Sequence, residues 1–226
     1  MQLPKPTAGS NDLVSYGRYV QSRLTVAGRA ALTDEVRKAT DALKLADRAR
    51  DDAAEPWRAA LAVRDAIDDA FDDAVRTTRK QLAARSLTAE QETPYTALFP
   101  QGVDAYVKAT LPEQKTAIAQ FVERVEKNLP DGDAVRAAVA PLKTAATDWD
   151  KAVDATAVAE RALDETRVAY AHARANWMRL LDRTYATLRV DLGKAAAERF
   201  FPRPRARSRD DGDDTDTDVV IDPPVG

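Results

Sequence analysis

The chain has no cysteine and one histidine, His172. The missing thiols exclude disulfides, thiolate nucleophiles and Cys-ligated metals, although they leave the compartment open. A lone imidazole cannot build the usual zinc or di-iron centre, so His172 reads as a surface residue. Aromatics make up only 6% of the 226 residues, too few for a broad interior. Gly-rich phosphate loops, nucleophile elbows and His/carboxylate metal spacings do not occur. No catalytic residue, cofactor site or metal site is nominated, and a non-enzymatic protein is expected.

Long apolar runs are also missing, so no segment is expected to span a bilayer. The start, Met1 to Pro6, lacks the apolar core of a secretory signal. A cytoplasmic location follows as the expectation. Charge of one sign is scarce in the body. Residues beyond 202 carry four Arg and seven Asp, which leaves 30 acidic and 30 basic side chains in residues 1–202. A neutral body argues against nucleic acid and against a membrane surface, since both need a basic face. Protein partners are expected instead, with the chain a monomer or a homodimer.

What the sequence has in abundance is alanine at helical spacing. The chain is 44% hydrophobic, and alanine supplies nearly half of that. Residues 142–192 contain neither Gly nor Pro. Stepping by seven from Leu142 meets Trp149, Thr156, Leu163, Tyr170, Trp177 and Thr184. Val36, Leu43, Arg50, Trp57, Arg64, Phe71 and Thr78 form a second such series. Alanines dominate the positions three residues after each. A stripe repeating every 3.5 residues is a coiled-coil seam. The fold class predicted is all-α: an elongated antiparallel bundle of two long heptad helices with short flanking helices.

The segments fall in order. Residues 1–10 read as a flexible arm. A short helix over about 12–27 is capped by Ser10 or Asn11 and stopped by Gly28. A long helix spans about 30–86, kinked near Pro56 rather than folded back there. Residues 87–112 are broken. Thr110 and Glu113 form a capping box that opens a helix to about Leu129. Asp133 caps the second long segment, which ends near Gly193. The order of short helix, turn, long helix and Phe-Pro occurs twice, so 11–202 reads as a bundle with possible repeats at 11–102 and 103–202. Residues 203–226, Arg-rich then Asp-rich, read as a disordered tail.

The possible docking points are Phe99, Pro100, Phe201 and Pro202 with the tail arginines Arg203, Arg205, Arg207 and Arg209. The two Phe-Pro pairs read first as plugs for the bundle ends and only second as docking points. The acidic cluster Asp65, Asp68, Asp69, Asp72 and Asp73 is read as a solvated face rather than a cation site. Arg50 and Arg64 are odd members of a seam; they snorkel, stack on Tyr170, or mark a partner. The function expected is an interaction scaffold or adaptor. Alternatives are a delivered helical hairpin of a specialised export system, weakened by the lack of a Trp-x-Gly turn, and a regulatory module using the tail on nucleic acid. If the long helices pair antiparallel, residues whose numbers sum to about 220 should meet.

Overall fold

A computed structural model describes residues 3–5 and 8–202. The charged tail and its four arginines lie outside the described residues. The described chain is helical and contains no strand. Two helices dominate: α2 (Ala30–Ala83) with 54 residues and α7 (Ala145–Leu192) with 48. At ~1.5 Å per residue each runs for roughly 70–80 Å. They lie side by side as the most extensive contact in the molecule.

Their pairing is antiparallel, with the expected register. Arg50 lies over the Tyr170 ring, 4.7 Å from its centroid. Arg29 pairs with Asp191 at 2.9 Å. Glu35 pairs with Arg183 at 2.7 Å, and the Trp177 indole donates to Thr40 Oγ1 at 3.1 Å. Residue numbers in each pair sum to about 220. Neither long helix folds back: Pro56 sits inside a continuous α2. Its ring is on the exposed side, where water can take the carbonyl that proline leaves unbonded.

Two cores form, one at each end of the pair. The first gathers Phe71, Val75 and Leu82 of α2 with Trp149 of α7. It is closed by α3 (Tyr95–Leu98), α4 (Asp104–Val107), α5 (Gln114–Asn128) and α6 (Ala134–Val139). The second gathers Val36, Leu43, Trp177, Leu181 and Leu188 with α1 (Ser10–Val26) and α8 (Lys194–Glu198). Between them α2 and α7 run as a neck only two helices wide. There the seam holds Arg50, Trp57 and Arg64 against Thr156, Leu163 and Tyr170, and of these only Thr156 and Leu163 are fully buried.

Local signals explain most boundaries. After α1 the Gly28 amide bonds Thr25 O and the Arg29 amide bonds Leu24 O. This double closure needs the positive φ of 68° that Gly28 supplies. Asp133 accepts the Val135 amide at 2.8 Å, the cap expected of it. Glu113 takes both the amide and the hydroxyl proton of Thr110, which holds its carboxyl below the usual range.

Three expectations need correcting. Ser10 does not cap α1. It is the first helical residue, and its hydroxyl bonds Asp47 and Tyr170 across the bundle. The second long segment is bent where Pro141 lies: α6 gives way to a 3-10 turn at Ala140–Lys143 before α7 begins. Proline there lacks the amide that would continue the ladder. The N-terminal arm also makes contacts. Leu3 packs on the second core, and Arg174 donates to the Lys5 and Ala8 carbonyls.

Candidate functional site

The seam arginines show what the neck is made of. Arg50 stacks on Tyr170 and pairs with Asp47 at 2.8 Å and Asp51 at 3.0 Å. Ser10 bridges Asp47 and Tyr170, at 2.7 Å to each. Four polar side chains from α1, α2 and α7 thus close the second core where the neck begins. Arg64 lies along the seam with its head on Asp65 at 2.8 Å. Of the three readings of these arginines, stacking holds for Arg50.

The neck has two unlike faces. Glu35 and Arg183, each immediately before a seam residue, meet on one side of the pair. Positions just before a seam residue on both helices therefore share that side. They are Ala42, Ala49, Pro56, Val63 and Ala70 on α2, with Ala155, Ala162 and Ala169 on α7, and all are exposed. Leu45 and Val158, 69% and 61% exposed, border the same side. So does a groove of about 450 Å³ lined by Ala39, Asn176, Arg179, Leu180 and Arg183. Asp52 and Glu165, each two positions after a seam residue, stand at the outer edges of this face.

The opposite face is charged: Asp51, Arg58 and Asp65 on α2, Asp164 and Arg167 on α7. It is also the side on which α1, α5 and α8 sit. Ser10 of α1 reaches Asp47, and Thr40 stands beside Gly17 of α1. Gln114 of α5 bonds Asp68, and Lys115 bonds Asp150. Tyr185 reaches Glu198 of α8 at 3.5 Å. All these long-helix residues lie one or four positions after a seam residue.

The residues nominated from the sequence separate clearly. The rings of Phe99 and Phe201 are buried at opposite ends, each inside its own core. Phe99 packs against Tyr95, Tyr106 and Phe121, and Phe201 packs edge-on against Tyr185. This is the plug arrangement; only Pro100 is exposed and Pro202 half-buried. In the acidic cluster, Asp65 and Asp72 pair with Arg64 and Arg76. Burial, then the nearby Asp72, Asp69 and Asp65 carboxylates, push the Asp68 carboxyl above its usual range. Among the described residues no group of His, Cys, Asp or Glu is arranged to hold a metal ion. His172 is exposed. Trp149 and Trp177 are buried core residues, while Trp57 is a half-buried seam residue of the neck.

No protein-family model, no curated protein and no solved structure matches this chain. No helix among the described residues is long and apolar enough to cross a membrane. The apolar face escaped the sequence reading, although its signal is visible once the seam is known. The residue before each central seam position is Ala, Pro or Val, whereas the residue after it on α2 is Lys, Asp or Arg.

Proposed function

We propose that this chain is a non-enzymatic interaction scaffold of the cytoplasm, a strut that holds protein contacts along its length. One observation carries the reading. The large apolar residues are spent on two terminal cores, while the neck between them keeps an open apolar face and a charged one. Isolated apolar side chains on a surface need no explanation, but a contiguous uncharged strip marks an interaction site.

The same reading takes the neck as an antiparallel coiled coil and residues 11–102 and 103–202 as two copies of one unit. In support, α1 and α5 sit at opposite ends of the pair and on the same side of it, as a two-fold axis through the neck would place them.

Affinity capture from the native cell tests the scaffold, with the full chain and residues 1–202 as baits. Recovery of a different protein at defined stoichiometry is expected with both baits. Recovery of none with either bait overturns the proposal.

A further inference from the structure

The groove beside the second core joins apolar and cationic groups that no other element covers. It is lined by Ala39, Asn176, Arg179, Leu180 and Arg183. Leu180 is the largest apolar side chain in it, and the exposed Leu45 stands less than two turns beyond Ala39 on the same flank. α1 and α8 seat on the opposite flank and leave the groove open. Its charges are positive on balance. Arg183 is committed to Glu35 at 2.7 Å. Arg179 bonds the Asn176 side chain and has no carboxylate partner among the described residues. Lys38, exposed and one residue before Ala39, has none either. The other nearby acids are turned elsewhere. Asp34 pairs with Arg37, Asp182 acts on Tyr16 of α1, and Asp41 lies five positions after the seam residue Val36, on the outward side of α2. His172, one turn before Asn176, adds no negative charge. By the register of the long pair, Lys38 and Arg179 stand level on the two rims of the groove.

Two cations over an apolar groove suit a segment in which acidic residues run into apolar ones, and the chain carries one. Residues 210–222 hold seven Asp and no Lys or Arg, with Val219, Val220 and Ile221 together among them. The fold brings this segment within reach. Phe201, buried in the second core, packs edge-on against Tyr185 of α7. Tyr185 lies two residues beyond Arg183, on the opposite flank of the same helix. The path from there to the groove crosses one helix, ~10–12 Å wide. Residues 203–209, which hold the four arginines, can span up to ~23–25 Å as extended chain. Asp210 and the residues after it therefore reach Arg179 and Lys38.

We infer that residues 210–221 dock in this groove of their own chain, with the aspartates on Lys38 and Arg179 and the Val219–Ile221 side chains on Leu180 and Leu45. Exposed ion pairs contribute little one by one. The apolar side chains that leave water add to them. The tether does the rest: a short linker holds the segment at an effective concentration on the order of mM, so a contact too weak to join separate molecules is populated within one.

The lack of native cysteine lets the contact be trapped in the full chain. Ala42→Cys, exposed one turn beyond Ala39 on the groove side, is combined with Val220→Cys and treated with a short bis-maleimide. Ser22→Cys with Val220→Cys is the reference. Ser22 is exposed on α1 beside Arg23, which bonds the Arg199 carbonyl, so it stands close to the root of the same segment but away from the groove. Cross-linking within one chain should be several-fold greater for the Ala42 pair than for the Ser22 pair. Replacing Asp210, Asp211, Asp213, Asp214, Asp216 and Asp218 by Asn should bring the Ala42 pair down to the reference level. Lys38→Glu with Arg179→Glu should do the same, and circular dichroism should show the helices unchanged because both side chains are exposed. Equal yields in the two cysteine pairs overturn the inference, as does an Ala42 yield indifferent to the aspartate replacements. Links formed only between copies, seen as a doubled mass on a denaturing gel, overturn docking within one chain and give the groove to a neighbour's segment. None of these outcomes touches the scaffold reading, whose test is capture of a different protein.

Discussion

The guanidinium carbon of Arg50 lies over the Tyr170 ring, 4.7 Å from its centroid. The contact joins the two long helices where the second core gives way to the neck. Cation–π contacts at partly exposed sites contribute about 0.5–1 kcal/mol. Arg50→Ala should therefore cost about 1 kcal/mol once the loss of its exposed ion pairs, each worth little, is included. A double-mutant cycle with Tyr170→Leu, read by urea unfolding, should recover a coupling of about 0.5–1 kcal/mol. Strict additivity of the two substitutions would deny the contact any energetic role.

The tryptophans should rank by burial. Trp177 is 0% exposed, packs edge-on against Tyr16 and donates to Thr40. Trp177→Ala should cost about 3–5 kcal/mol, and Phe71→Ala the same at the other core. Trp57 sits half-buried in the neck, with no third helix over it. Trp57→Ala should cost clearly less than Trp177→Ala. Chemical denaturation of the three variants checks the order, and equal losses at positions 57 and 177 would contradict the two-core arrangement.

Gly17 lets α1 lie against the long pair. A Cβ there would stand 2.3 Å from Thr40 Oγ1 and 3.1 Å from Trp177 Nε1. Alanine favours helix over glycine by about 1 kcal/mol. Overpacking opposes that and should win, for a net loss of about 1–3 kcal/mol. The loss should shrink when Thr40→Ala removes the nearest atoms. Thermal melting of Gly17→Ala alone and in the Thr40→Ala background measures both; a stabilised Gly17→Ala would show that α1 is held less closely.

Tyr16 gives the fold an alkaline limit. Burial, with the Asp182 carboxylate adding to it, pushes its hydroxyl up to about 12. An unfolded tyrosine ionises near 10. Between those values the folded chain keeps a proton that the unfolded chain has released. Stability must then fall as pH rises from about 10 towards 12, and this contribution is intact below 10. The difference in unfolding free energy between native and Tyr16→Phe proteins should slope across that window. A flat difference would mean that the hydroxyl ionises as freely folded as unfolded.

The heptad series determined more than secondary structure. It named the residues of the seam, and the match of large residues in one helix with those of the other set the antiparallel register that Arg29–Asp191 and Arg50–Tyr170 obey. Gly28, Gly193 and Asp133 marked helix ends because their chemistry acts locally, on amides and carbonyls a few residues away. A seam has two flanks, however, and periodicity is blind to which of them a third helix covers. That choice was made by contacts distant in sequence: Gly17 opening space beside Thr40, Ser10 reaching Asp47, Gln114 meeting Asp68. The helices α1, α5 and α8 settled on the charged flank, where polar partners anchor them. The alanine flank offers no such anchor, and only the tertiary structure left it open.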